Sequence, residues 1–415
     1  MVEIDSLLKP FGRFGVNLGL KRIIRLLENL GNPHDGVPII HVAGTNGKGS
    51  VCAYISYVLT EAGYKVGRYT SPHLVDWTER ICINEKQISP DDLCRVLLEV
   101  KAKVLSDEDS PTQFEILTAA AWLYFVQQKV DVVVMEVGLG GRLDATNVCS
   151  QPLVSIITSI SKDHLQVLGS TIAEIATEKA GILKTNCPVV IGTLPEEAEK
   201  VVRSRAEKLH CPLFVSSPAQ KISPGLAKWD SILYQLPLEG EIQLNNSSVA
   251  IAALKILQSQ GWNISDDCIA NGIAKTKWLG RMQWSNWKNS KLLVDGAHNP
   301  NAALALRNYV DTIPHSSIFW IIGMLANKQH QEIFSVLLRP EDKLYLVPIP
   351  EHSCALPSQL KELAFDICPH LSFCQTFPDL FSAIDAASSA ESNQNEELIT
   401  LCGSLYLIGS FLATT

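Results

Sequence analysis

Short runs of β-branched and other apolar residues recur along the chain. Most are followed by a glycine- or asparagine-rich turn and then by a stretch with helical spacing. Runs at 39–42, 65–69, 130–136, 154–160, 189–191, 292–294, 318–322 and 343–347 read as strands. The run Val130-Asp-Val-Val-Val-Met-Glu136 is nearly continuous, which a strand covered on both faces requires. Residues 51–62 predict a helix just after the glycine turn that ends the first strand. Strands alternating with helices predict an α/β fold built on a mainly parallel sheet.

The run Trp284-Ser-Asn-Trp-Lys-Asn-Ser290 is polar and breaks this periodicity, and a fresh strand–turn–helix pattern starts after it. It predicts a boundary between a larger domain, 1–287, and a smaller one, 288–415. The polar stretch 391–397 reads as a solvated loop. From Leu398 to Thr415 the chain is uncharged for 18 residues, but Gly403, Ser404, Gly409 and Ser410 interrupt it. A buried strand running into a terminal helix fits that stretch better than a membrane span.

Length and composition sharpen this picture. A prior of about 150 residues per domain divides the 415 residues into two or three domains. With 46% apolar and 19% charged residues, the chain has the balance of a globular protein with large cores. Its 35 basic and 43 acidic residues leave a net charge of −8, which argues against a broad nucleic-acid-binding face but not against a small anion pocket. Eleven cysteines are scattered with no C-x-x-C pair, so neither a disulfide framework nor a zinc ribbon is predicted. The acidic start, Met1-Val2-Glu3-Ile4-Asp5, is not that of a signal peptide. Together these features predict a cytoplasmic protein.

The segment His41-Val-Ala-Gly44-Thr45-Asn46-Gly47-Lys48-Gly49-Ser50 carries the clearest chemistry. A strand ends, glycines let the backbone curl, and a helix begins, so N–H groups and the helix terminus face an anion. Lys48 is placed to reach outer phosphates and Ser50 to set its hydroxyl on Mg²⁺. The usual phosphate-loop pattern is altered, because Val42 replaces its first glycine and Gly49 separates lysine from hydroxyl. Glu136 ends the strongest strand, where open parallel sheets bind ligands, and a carboxylate there suits Mg²⁺. Local sequence alone reads His164 as structural and Lys179 as a solvated helical lysine. Arg142, in a glycine-rich loop, fits either an anionic substrate or a salt bridge.

Gly44-Thr-Asn-Gly-Lys-Gly-Ser50 resembles the phosphate loop of the folylpolyglutamate synthase and dihydrofolate synthase family, relatives of the muramyl ligases. Further matching segments run through almost the whole chain. They are Tyr69-Thr-Ser71-Pro-His-Leu74 with Glu79-Arg-Ile81, Phe114-Glu115, Glu136-Val-Gly-Leu-Gly-Gly-Arg142-Leu-Asp144-Ala-Thr-Asn147 and Asp163-His164. Others are Glu178-Lys179-Ala-Gly-Ile182, Trp278-Leu-Gly-Arg281-Met-Gln283, Asp295-Gly-Ala-His298-Asn-Pro300 and Gly403-Ser-Leu-Tyr406.

The resemblance implies a P-loop-type, mostly parallel sheet domain that binds ATP, followed by a smaller Rossmann-like α/β domain that closes over ATP and binds glutamate. It places Thr45, Asn46, Gly47, Lys48, Gly49 and Ser50 on the phosphates, Asn246 near adenine, Asp295 near ribose, and Arg281 and His298 near the phosphates. It implies Mg²⁺ at Ser50, Ser71, Glu136 and His164. Lys48 and His298 are implied in catalysis, as is Lys179, as a carbamate. The acceptor loops would be Asn17, Leu18 and Gly19, then Thr112, Gln113, Phe114 and Glu115, then Leu143, Asp144 and Ala145.

The implied reaction joins L-glutamate to dihydropteroate or to a reduced folate by way of an acyl phosphate, in a monomer acting on small molecules. The rivals are a muramyl-type amino-acid ligase and a non-catalytic ATP-binding homologue. Two departures from the family pattern stand out: Asn327-Lys328-Gln329 where the family often has Asp-Lys-Asp, and Ile242-Gln243 where it has His-Gln.

Overall fold

The computed structural model describes residues 4–12, 18–105, 109–350, 352–390 and 397–415. The chain forms two compact units, one of Met1–Pro237 with Gln243–Lys277 and one of Leu238–Ile242 with Trp278–Thr415.

The first unit is built on an eight-stranded sheet. Its strands are β1 (Ile39–Ala43), β2 (Val66–Tyr69), β3 (Ile81–Ile83), β4 (Lys86–Gln87), β5 (Val132–Glu136), β6 (Val154–Ile157), β7 (Val189–Ile191) and β8 (Leu213–Val215). They lie in the order β4-β3-β2-β5-β1-β6-β7-β8. All neighbours run parallel except β3 against β2 and β4 against β3. The five residues of β1 and the five of β5 are all buried, as their apolar runs predict. Each large aliphatic side chain so buried contributes about 1.5–3 kcal/mol. A three-stranded antiparallel sheet of β9 (Gln220–Ser223), β10 (Leu226–Trp229) and β11 (Ile232–Gln235) completes the unit's strands.

The second unit holds β12 (Gln283–Trp287), β13 (Ser290–Val294), β14 (Ser317–Ile322), β15 (Lys343–Leu346), β16 (Phe373–Thr376) and β17 (Glu397–Cys402). Their order is β12-β13-β17-β14-β15-β16, parallel but for β12. The sequence-based boundary at 287/288 therefore needs correction, because the units part between Lys277 and Trp278. The polar run 284–290 forms most of an antiparallel hairpin, with Trp287 opposite Ser290 and Gln283 opposite Val294. An edge strand has one half-open face, so it tolerates polar residues that a central strand would exclude. The segment Leu238–Ile242 also belongs to this unit, and Ile242 packs on its core.

The uncharged tail forms β17 and the helix Leu405–Leu412. Among the described residues no helix is long and apolar enough to cross a membrane. All eleven cysteines are free thiols.

The strand order decides where chemistry can gather. β1 lies between β5 and β6, and β2 flanks β5, so their carboxyl ends form one continuous edge. Every parallel strand delivers its following loop to that edge.

Candidate active site

From Ala43 at the end of β1 the chain curls through residues 44–47 into the helix Lys48–Glu61. Gly47 makes the turn with φ +84°, and a Cβ there would lie 2.3 Å from Asn246 Oδ1. Any other residue would be both strained and in collision. Asn246 is thus buried against the phosphate loop, where its amide also donates to Gln243 Oε1 at 3.0 Å.

The segment after β6 braces the loop. Thr45 N–H donates to Ser159 O at 2.8 Å, Asn46 N–H to Ser159 Oγ at 3.0 Å, and Thr158 Oγ1 to Asn46 O at 2.6 Å. Thr45 Oγ1 donates to Ser161 O and accepts from Ser161 N–H, both at 3.1 Å. These bonds shorten the expected strand 154–160 to Val154–Ile157, since Thr158 turns away to serve the loop. Among the described residues no side chain caps the helix N-terminus, which keeps its positive end available to an anion. Gly49 and Ser50 are buried in the first turn. Lys48 folds back over the loop, with Nζ 3.2 Å from both Gly44 O and Thr45 O.

Glu136 ends β5 and is buried, with Oε1 4.0 Å from Lys48 Nζ and Oε2 accepting from Ser71 N–H at 3.1 Å. Phosphate loop, Ser71 and Glu136 therefore meet on the edge formed by β2, β5 and β1. His164 lies on the turn after β6 with φ 52°, its side chain 42% exposed and Nε2 3.8 Å from Asp163 Oδ2. Among the described residues no three His, Cys, Asp or Glu side chains group to hold a metal by themselves. A buried carboxylate beside Ser71, with Ser50 in the first turn after the loop, fits Mg²⁺, which takes few protein oxygens and completes its shell with water and phosphate.

Lys179 ends the helix Ile172–Lys179, and it is not the solvated lysine that local sequence suggests. It is buried, and Nζ donates to Gly44 O at 2.8 Å, so Lys48 and Lys179 converge on one carbonyl. Burial, reinforced by the Lys48 charge and opposed by Asp163 and Asp144, pulls its pKa down to about 7. A lysine in the unfolded chain titrates at about 10.4, so between these values the unfolded chain binds more protons and stability rises with pH. Below about pH 7 the cost of protonating the buried amine is fully present. Lys179→Met should therefore flatten the rise of thermal stability between about pH 7 and 10. Parallel melting curves for variant and wild type across that range would contradict the depressed pKa.

Among the expected acceptor residues, Asn17 lies outside the described residues, and Leu18 and Gly19 precede the helix Lys21–Asn29. Thr112 and Glu115 form a capping box on the helix Gln113–Gln127, and Glu115 also accepts from Arg22 Nε at 3.1 Å. Gln113 Nε2 donates to Leu8 O at 3.1 Å. These three have partners that hold the fold together. Phe114 is half-buried, its ring 6.1 Å from that of Tyr69. Leu143 is half-buried and Ala145 buried. Asp144 is buried and accepts from Leu139 N–H at 2.8 Å and Thr146 N–H at 3.0 Å, while burial raises its pKa.

The second unit assembles its own group after β13. Asp295 is buried and accepts from Met282 N–H and Ala297 N–H, each at 2.8 Å. Burial raises its pKa, while Arg281 opposes the rise. Arg281 Nη1 donates to Gly280 O at 2.9 Å, and His298 Nδ1–H donates to Gly296 O at 2.7 Å. Sequence reasoning passed over Thr158, Ser159 and Ser161 as loop braces, and Asp163 as a charge near Lys179. A run of hydroxyl residues directly after a strand was the available signal.

This is the architecture of ATP-dependent amide-forming ligases: a phosphate loop on one parallel sheet and a second α/β unit carrying basic groups. Residues 42–254 match the family described as Mur ligase middle domain, and 281–414 that described as dihydrofolate synthetase, C-terminal domain. The chain is 35% identical to a dihydrofolate synthetase of Saccharomyces cerevisiae, over 96% of this chain and 97% of that one. It is 34% identical to a dihydrofolate synthase/folylpolyglutamate synthase of Bacillus subtilis, over 95% and 94%. Among solved structures, E. coli FolC in complex with DHPP and ADP superposes with TM-score 0.86 at 30% identity, covering 99% of this chain and 96% of that one. The chain belongs to the dihydrofolate synthase/folylpolyglutamate synthase family.

Proposed function

We propose that the chain joins L-glutamate to dihydropteroate, to the γ-carboxylate of tetrahydrofolate, or to both, using ATP. The observation that carries this reading is the convergence of Lys48, Glu136, Ser71 and Lys179 on one sheet edge around the Gly44 phosphate loop. Relatives described as dihydrofolate synthase/folylpolyglutamate synthase, and a FolC structure holding ADP and DHPP, support the choice of substrates.

The acceptor carboxylate attacks the γ-phosphorus of ATP, forming an acyl phosphate and releasing ADP. The amine of glutamate then adds to the acyl carbon, and the tetrahedral intermediate expels phosphate. Phosphorylation supplies a leaving group that a carboxylate lacks. The loop N–H groups and Lys48 neutralise charge on the transferring phosphoryl. Ser50, Ser71, Glu136 and His164 would hold Mg²⁺, which when bound draws charge from the phosphate oxygens. Lys179, half-neutral near pH 7, is able to take up CO₂ as a carbamate, turning a cation into an anion beside the loop. Arg281, Asp295 and His298 have the chemistry to meet a nucleotide.

Phosphate release with MgATP and glutamate tests the reading directly. Parallel reactions contain dihydropteroate, tetrahydrofolate or no acceptor. Acceptor-dependent release with a one-glutamate gain in product mass is expected. Bound ATP without product from either acceptor would overturn the reading.

A further inference from the structure

Arg142 was open between an anionic substrate and a salt bridge, and the structure gives it a partner. Arg142 Nε and Nη2 donate to Glu178 Oε1 at 3.1 and 2.8 Å, and Arg142 N–H donates to Glu178 O at 2.7 Å. Glu178 is the residue just before Lys179. On the other side of Lys179, Asn147 Nδ2 bridges Arg142 O and Gly181 O, both at 3.1 Å. Asn147 is only 4% exposed. Gly181 approaches so closely that a Cβ there would sit 2.3 Å from Arg142 Cβ.

The loop that carries these groups is itself pinned. Thr146 Oγ1 donates to Asp144 Oδ1 at 2.6 Å and therefore accepts from His41 Nε2–H at 2.9 Å. His41 lies on β1, so the loop is tied to the strand that leads into the phosphate loop. The backbone on both sides of Lys179 is thereby gripped by a single loop fixed to β1. The Lys179 amine reaches Gly44 O from this clamp.

We infer that Arg142, Glu178 and Asn147 are positioning residues that aim the Lys179 amine at the phosphate loop. The inference rests on the catalytic reading of Lys179 proposed above. A lysine side chain has four rotatable carbons and holds a precise site only where its backbone is fixed. Arg142 is half exposed and could be removed without opening a core, whereas two guanidinium donors on one Glu178 carboxylate oxygen plus a backbone bond give it directional hold.

The test uses the full chain with Arg142→Met, Glu178→Gln and Asn147→Ala, each alone and combined with Lys179→Ala. Glu178→Gln keeps side-chain shape and guards against failure of the others to fold, and thermal unfolding confirms the native state. Turnover is followed by phosphate release. Acylation of Lys179 by a small anhydride is followed across pH by peptide mass spectrometry.

The single variants should lower kcat roughly 10–100-fold, the usual loss for groups that orient a functional ligand, with KM for ATP little changed. The pH dependence of Lys179 acylation should shift, and Arg142→Lys should recover part of the rate. In the Lys179→Ala background the same changes should cost little more, because their effect runs through that lysine. Wild-type kcat in the single variants alongside an inactive Lys179→Ala would overturn the clamp alone. Losses that multiply with that of Lys179→Ala would also overturn it. Full turnover by Lys179→Ala would instead remove the catalytic reading of the lysine, and the clamp with it.

Discussion

Lys48→Ala should lose turnover and keep its fold. The Lys48 side chain is largely covered, and its ammonium bonds two carbonyls of the loop that it closes, Gly44 O and Thr45 O. Each such bond is worth about 1 kcal/mol to stability, which a protein of this size can lose. On the proposed reading the same ammonium would face the phosphoryl being transferred. Removing one preorganised charge or donor from such a site costs roughly 10²–10³ in kcat. The comparison is phosphate release against melting temperature for variant and wild type. Near-normal release would show that the loop N–H groups alone carry the phosphates.

Glu136→Gln should be almost as damaging, for a different reason. The amide keeps the size of the carboxylate and still offers an oxygen to Ser71 N–H. What it removes is the negative charge that the site presents between β1 and β2. A loss on the order of 10²-fold at ordinary magnesium is expected if that charge helps hold the metal, whose positive charge would offset that of the transition state. Raising magnesium should recover part of it. The measurement is a magnesium titration of phosphate release, and coincident curves for variant and wild type would refute the metal role of Glu136.

Much of the fold could be read in advance because its central strands are buried on both faces. Val132–Glu136 and Ile39–Ala43 carry apolar runs that hardly any other element would tolerate. Strand β9 escaped notice for the opposite reason: all four of its residues are exposed, so no periodicity marks it. The polar 284–290 run mimicked a linker because an edge hairpin places few demands on its outer face.

The site divides along similar lines. The phosphate loop is contiguous and its backbone needs are local, so glycine spacing reveals it. Lys179 depends on a contact with Gly44, far away in the chain, and short-range patterns show nothing of that burial. Glu115, implied by resemblance, and Arg142, open between an anion and a salt bridge, are paired in the structure with Arg22 and Glu178. Only packing distinguishes those cases.

The path of the chain between the units has a consequence for modularity. Residues 238–242 join the second unit before the chain returns to the first, and Gly240 lies so close to Met282 that a Cβ would meet its sulfur at 2.3 Å. The two units are therefore not separate cassettes. A fragment begun at 278 would leave behind a stretch of its own wall, and one begun at 288 would also lose β12 and uncover β13 as a new edge. No single crossover in a gene, and no single proteolytic cut, yields both halves intact.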